Sequence, residues 1–206
     1  MSTREVQILS SDYQRRRKMQ ADQTEQAILA AATELSRERS FEKVSVREIC
    51  QHAGITTGAF YHHFKSKDEL LQRGFASLDL YMEKILRGHE SDEPTKRLRL
   101  ILSAYADFME NLGCELVSRY YSQRLDCPNF QSIAPNRFTF QSLFSCIQEA
   151  CSGCDPMPGY TPKWVADFLF RHFRGVVIDW IINRGAYSLS DKLQQDYVLF
   201  QKIFQP

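Results

Sequence analysis

The run Thr56-Thr57-Gly58-Ala59-Phe60-Tyr61-His62-His63 gathers the residues of this chain best suited to recognition chemistry. Thr57, Gly58 and Ala59 are small, so a helix starting there brings its backbone close to a partner. The threonine offers a hydroxyl and the alanine a methyl, contacts that base edges in a DNA groove accept. His62 and His63 suggest metal binding, but adjacent residues cannot share one helical face, so no metal site is expected. Six cysteines also invite attention. Cys50 falls on an apolar helix face, while Cys114, Cys127 and Cys146 stand singly. Cys151 and Cys154 form C-S-G-C, a spacing open to a redox pair or half a zinc site. No strand pattern adjoins it and no second close pair completes a zinc set, so an incidental spacing is the simpler reading. Catalytic signatures are missing: there is no phosphate loop, no G-x-S-x-G elbow, no H-E-x-x-H, and no carboxylate pair in one apolar setting. An enzyme is not expected, nor is a cofactor.

The elements that must hold the Thr56–His63 run are marked by local signals. Ser45 with Glu48 and Ser66 with Glu69 are S-x-x-E pairs, in which hydroxyl and carboxylate satisfy orphan N–H groups at a helix start. Val46, Ile49, Cys50 and Ala53 recur at helical spacing and define one buried face. Gly54 permits the left-handed backbone that ends that helix, Ile55 plugs the turn, and Thr56 or Thr57 caps the next helix. Two short helices joined this way form a helix-turn-helix whose second member reads the major groove.

Four stretches extend the pattern: T-x-x-x-I-L-x-A-A from Thr24 to Ala32, S-V-R-E-I from Ser45 to Ile49, A-G-I-T-T-G-A-F-Y-H-H-F from Ala53 to Phe64, and K-S-K-D-E-L-L from Lys65 to Leu71. This region resembles the DNA-binding domain of the tetracycline-repressor (TetR) family of bacterial transcriptional regulators. The resemblance implies DNA contacts at Arg47, Thr56, Thr57, Gly58, Ala59, Tyr61, His62, His63 and Lys67. Arg47 would reach a guanine, Tyr61 and His63 would touch phosphate, and Lys67 would meet phosphate beside a helix N-terminus. A surface charge at Arg47 and a solvated lysine at Lys67 are the plainer alternatives. It further implies a homodimer on a palindromic double-stranded operator, released by a small-molecule effector. A regulator that answers to thiol chemistry or to no ligand, and a dimeric helical adaptor without DNA binding, are the competing readings.

The rest of the chain reads as helix, giving an all-α fold of about nine helices. Residues 1–20 are expected to be a flexible arm, with Arg15, Arg16, Arg17 and Lys18 as a basic block. The DNA-binding domain follows over 21–70, and a ligand-binding and dimerisation domain over 71–206. Helix one should run from about Thr24 to Arg39, with Ile28, Leu29, Ala32 and Leu35 as its stripe. Helix four should run from Ser66 to about Arg87, and later helices over about 95–112, 115–125, 133–151, 162–184 and 190–204. Lys and Arg total 26 against 25 Asp and Glu, so overall charge does not reveal a nucleic-acid partner. No apolar run approaches the roughly 20 residues of a membrane span. The first residues lack a signal-peptide core, and a cytoplasmic location is expected. Aromatics crowd the C-terminal helices, and Tyr105, Met109, Tyr120, Tyr121, Phe144, Phe168 and His172 are candidate ligand contacts. Arg119, Arg124, Arg171 and Arg174 punctuate the same helices and could orient a polar group. Trp164, Phe168, Val177, Trp180, Ile181, Tyr197 and Phe200 are the expected dimer contacts, because the helix over 162–184 is apolar on most sides.

Overall fold

In a computed structural model of the protein, residues 3–126, 135–152 and 159–202 are described, those over 3–12 as backbone only. They form nine α-helices and one short 3-10 turn, with no strand among them. The chain divides into two compact units, Met1–Gln72 and Arg73–Pro206, with the division falling inside the fourth helix.

The first unit holds α1 (Thr3–Glu38), the 3-10 turn Phe41–Lys43, α2 (Val46–Ala53), α3 (Thr57–His63) and the start of α4 (Lys67–Leu86). The expected helix start near Thr24 is corrected: α1 is continuous from Thr3, through most of the segment expected as an arm over 1–20. Its sequence contains neither glycine nor proline to interrupt it. The Thr24 hydroxyl, read as a start signal, instead donates to the Gln20 carbonyl one turn earlier at 2.9 Å, a bond that threonine makes inside helices. Ile28, Ala31 and Ala32 of α1 meet Phe41, Val44, Ile49, Cys50, Phe60 and Leu70 in a closed apolar centre. Leu29 and Leu35 are only half-buried, at the margin of the stripe.

The second unit is built around α5 (Pro94–Leu112), which packs against α6 (Cys114–Leu125), α7 (Phe138–Ala150) and α9 (Leu189–Gln201). α8 (Pro162–Ile182) packs against α6, α7 and α9. α5 buries Leu98, Ile101, Leu102, Tyr105 and Met109, and α8 buries Val165, Leu169, Phe173 and Val177. Gly113 separates α5 from α6 at φ 82° and ψ 150°, a conformation in which a side chain would clash. α7 begins at Phe138 rather than near Ile133, which lies outside the described residues. Phe204, the expected end of the last helix, also lies outside them.

The start of α7 has no side chain of its own to cap it. Asp79 on α4 supplies the acceptor: its Oδ1 takes the Thr139 N–H at 3.1 Å and the Thr139 hydroxyl at 2.6 Å. Its Oδ2 accepts from Arg137 at 2.6 Å. Likewise Glu110 on α5 accepts the Leu189 N–H at 2.5 Å, at the start of α9. Burial raises the Asp79 carboxyl, but the bonds from Arg137 and Thr139 outweigh it and hold the group below its ordinary value. The charged carboxylate therefore stabilises the fold fully above its unfolded pKa, and that contribution fades as pH falls through the lower folded value. Asp79→Asn should cost about 1–3 kcal/mol at neutral pH in chemical denaturation. The gap between variant and wild type should shrink below about pH 4.

Candidate functional site

The Thr56–His63 run sits on a turn whose geometry is set on both sides. Ser45 Oγ accepts the Glu48 N–H at 3.2 Å, and Glu48 Oε2 accepts the Ser45 N–H at 2.8 Å, a complete reciprocal cap on α2. The Ser45 backbone and hydroxyl, with the Arg39 guanidinium at 2.6 Å, hold the Glu48 carboxyl down at about 2. Gly54 closes α2 at φ 68° and ψ 30°, its N–H turned back to the Cys50 and Gln51 carbonyls. Ile55 N–H donates to the Cys50 carbonyl at 2.9 Å, which fixes the direction of exit. The Thr56 hydroxyl then accepts the Ala59 N–H at 3.1 Å and starts α3.

That frame leaves the first turn of α3 outward. Thr57 and Gly58 are exposed and Ala59 is half-buried, while Phe60 and Phe64 anchor the opposite side in the core. A methyl added at Gly58 would meet only the Thr56 hydroxyl, at 3.8 Å, so packing does not demand glycine there. Tyr61 is 57% exposed, with its ring edge against Phe60. Arg47 and His62 are also exposed.

Two of the residues read as phosphate contacts have other roles here. His63 keeps only 12% of its side chain exposed and turns Nδ1 to Glu25 of α1 at 3.3 Å. The Lys67 ammonium donates to the Val44 carbonyl at 2.6 Å and the Phe41 carbonyl at 2.5 Å. It also stands 4.5 Å from the Phe41 ring centre. Lys67 thereby ties α4 to the connection between α1 and α2. The Ser66–Glu69 pair is likewise half of the expected box. Ser66 Oγ accepts the Glu69 N–H at 3.1 Å, but the Glu69 carboxylate takes the Lys65 N–H at 2.8 Å.

In the second unit, a cavity of about 110 Å³ opens among α4, α5, α6, α7 and α8. Tyr105, Met109, Tyr120 and Tyr121 line it as expected. Phe144 does not, and Phe168 and His172 point elsewhere: Phe168 is exposed, and His172 Nε2 pairs with Asp196 of α9 at 2.9 Å. Periodicity marks which helical positions are apolar, but it does not say which side of a helix meets a void. Phe75, Leu78, Phe140 and Phe170 complete the apolar wall, with Asp79, Arg137 and Thr139 at the α7 cap. Phe75 stacks on Tyr120 at 3.6 Å between ring centres, and Phe140 meets Phe170 edge to face at 5.7 Å. Arg124 lies 5.0 Å over the Tyr120 ring and Arg174 5.8 Å over the Tyr121 ring. Burial and the Tyr121 hydroxyl 3.4 Å away push the Tyr105 phenol well above its ordinary value.

The expected dimer contacts also divide. Val177, Trp180, Tyr197 and Phe200 are buried in the chain's own core rather than on its surface. Trp180 instead donates its indole N–H to the Tyr187 carbonyl at 3.0 Å, bracing the turn from α8 to α9. Ile181 is half-buried. Trp164 and Phe168 are exposed, their rings stacked at 5.4 Å. Exposed beside them are Ile178 and Ile182 on α8, which the apolar pattern of that helix includes, and Val198 and Leu199 on α9, which sequence reading misses. Trp164, Phe168, Arg171, Gly175, Ile178 and Ile182 recur at intervals of four and three, a stripe along one side of α8.

Burial raises the Cys50 and Cys114 thiols and pushes Cys146 up to about 11, which disfavours the reactive thiolate. Cys127 and Cys154, and with the latter the C-S-G-C pair, lie outside the described residues. Among the described residues no group of three or more His, Cys, Asp or Glu is placed to hold a metal ion. Nor is any described helix long and apolar enough to cross a membrane.

Residues 28–73 match the family model of bacterial regulatory proteins, tetR family. The HTH-type transcriptional regulator TtgR of Pseudomonas putida is 28% identical, over 55% of this chain and 64% of its own length. The chain therefore spans a little under two thirds of that curated relative. NalD of Pseudomonas aeruginosa, described as the secondary repressor of the MexAB-OprM multidrug efflux pump, has a similar structure. It superposes with a TM-score of 0.53 at 21% identity, over 86% of this chain and 96% of its own. The transcriptional regulator FadR of Bacillus subtilis, in complex with stearoyl-CoA, gives 0.56 at 18% identity, over 84% of this chain and 96% of its own. At these identities the structural likeness establishes the fold.

The Lys67 geometry yields its own test. Lys67→Met should destabilise the chain by about 1–3 kcal/mol in urea unfolding, because the carbonyls it serves lose a charged donor. The slope of log affinity against log salt for DNA should stay within experimental error of wild type if the ammonium serves only these carbonyls, and a slope lower by about one would mark a phosphate contact.

Proposed function

We propose that this chain, whose N-terminal domain is that of the tetR family of bacterial regulatory proteins, is a cytoplasmic, homodimeric repressor that reads a palindromic operator and is released by a small molecule. The observation that carries the reading is the first turn of α3. Thr57, Gly58 and Ala59 present small side chains outward while the Ser45–Glu48 box, Gly54 and the Thr56 cap fix the backbone beneath them. Arg47, Tyr61 and His62, exposed on the same two helices, supply the flanking polar groups.

The partner surface is the exposed apolar stripe of α8 with Val198 and Leu199 of α9. Contiguous apolar surface of this kind is hidden in most soluble proteins, and a second copy is the occupant that gives a two-fold reader for a two-fold site. Gly175 lies within the stripe and an added methyl there would meet nothing in this chain, so the position leaves room for a close helix. The aromatic cavity of the second unit is the effector site. An effector releases the operator only if it binds the released form more tightly than the bound one.

Selection from random duplexes followed by gel shift should return a palindromic site, and light scattering should give a dimer. A monomer with no sequence preference would sink the reading. Gly58→Ala separates folding from recognition, since alanine in a helix should stabilise the chain by about 0.5–1 kcal/mol. The same methyl should weaken operator binding by about tenfold through one spoiled base contact. Ile178→Glu should give folded monomers that lose the palindromic complex, because a charge on the stripe meets its own copy across the two-fold axis.

A further inference from the structure

Helix α1 runs well past the body it supports. Three ion pairs order its neighbours. Arg39, just beyond its end, meets Glu48 at 2.6 Å, Glu34 meets His52 at 2.6 Å, and Glu25 meets His63 at 3.3 Å. Followed towards its N-terminus, α1 therefore passes the start of α2, then the end of α2, then the last residue of α3. Beyond Glu25 it continues to Thr3, and every residue over 13–20 is exposed. A helix exposed on all sides serves no core there.

What the projecting part carries is charge. Arg15, Arg16, Arg17 and Lys18 follow one another, and no acidic residue occurs between Tyr13 and Ala21. Arg17 lies 5.9 Å over the Tyr13 ring. Among the described residues none of the four pairs with a carboxylate. Residues three apart share a side of a helix, so Arg15 and Lys18 project together. Like charges at that spacing repel each other, a cost that a bound polyanion removes.

Position names the polyanion. The block belongs to the same compact unit as α3. Lys18 and Arg15 stand seven and ten residues before Glu25, about 10–15 Å of helix at the ordinary rise. That length is close to the roughly 12 Å width of a major groove, so the block stands about one groove from the end of α3, where a phosphate strand runs. An acidic membrane would call for an apolar face beside the charge. Residues 13–20 offer only Tyr13 and Met19, six positions apart and on different sides of the helix.

We propose that the projecting end of α1 is a separate, sequence-independent contact to DNA, in which Arg15–Lys18 neutralise backbone phosphates beside the groove that α3 enters. It rests on the reading above that the first unit binds DNA. Arg15 and Lys18 set the expected count at two phosphates per subunit.

The test replaces Arg15, Arg16, Arg17 and Lys18 together by alanine in the full chain. Alanine keeps the helix, and circular dichroism checks that it does. Fluorescence anisotropy between about 50 and 200 mM salt compares the selected operator with a random-sequence duplex of equal length. Both complexes should weaken by about tenfold, and the slope of log affinity against log salt should fall by about two per subunit. A chain with the three arginines replaced by lysine should keep most of the slope, because lysine meets a phosphate as a point charge. A merely structural role for the block would move urea stability and leave the slope unchanged. An unchanged slope would overturn the proposal, as would a loss confined to the operator. So would phosphatidylserine vesicles that bind the wild type and not the variant while the two bind DNA alike. If wild type and variant hold the operator equally, the extension falls and the regulator stands. If the wild type binds neither duplex, both fall.

Discussion

Each α-helix begins with N–H groups that have no carbonyl one turn back, and a chain built from nine described helices faces that demand repeatedly. How each start is satisfied fixes much of this structure. In the first unit the answer is local. Ser45, Thr56 and Ser66 each accept from the residue three places later, so α2, α3 and α4 are positioned by their own sequences. In the second unit Thr161 and Ser188 cap α8 and α9 locally, but the start of α7 is satisfied from a distance by Asp79, and Glu110 reaches the Leu189 N–H of α9 as well. The first arrangement makes a compact head whose turn is independent of its surroundings. The second makes a body in which one helix's beginning depends on another helix's side chain.

That difference also decides what the sequence reveals. Ser45, Glu48, Gly54 and Thr56 stand within a dozen residues, and their chemistry is legible without coordinates, as is the resulting exposure of Thr57 and Gly58. The all-helical class and most helix limits are legible for the same reason. Asp79 and Thr139 lie sixty positions apart, and nothing in either neighbourhood announces their pairing. The cavity is half-legible: the spacing of Tyr105, Met109, Tyr120 and Tyr121 marks them as apolar-facing, whereas Phe144, Phe168 and His172 carry the same signal and face elsewhere. Burial at a given face depends on the neighbouring helix, which periodicity does not contain. Val177, Trp180, Tyr197 and Phe200 read as partner contacts for that reason, although their own chain covers them. Thr24 misleads in the opposite direction, because a hydroxyl that can start a helix can equally bond within one.

Asp79 joins the two themes. The carboxylate that begins α7 also forms part of the cavity wall, through the same Arg137 and Thr139. A ligand that competes for Arg137 therefore acts on the first turn of α7 directly, and the cavity and the packing of the unit are one set of hydrogen bonds. Charge in this chain is balanced overall but not locally. Arg124, Arg137, Arg174 and Asp79 line the cavity, while the exposed stripe of α8 is apolar apart from Arg171.

The Lys67 ammonium reaches carbonyls more than twenty residues earlier in the chain, and Leu70 and Leu71 beyond it lie in the same closed centre. This unit is thus incomplete at the end of α3, although every residue exposed on α2 and α3 has by then been made. During synthesis, residues up to Phe64 must wait in the exit tunnel or beyond it until the first turns of α4 emerge to close them. A fragment cut after α3 would carry the exposed face of α2 and α3 without the clasp and core residues that hold it in shape. The smallest autonomous version of this head therefore ends inside α4, past Leu71.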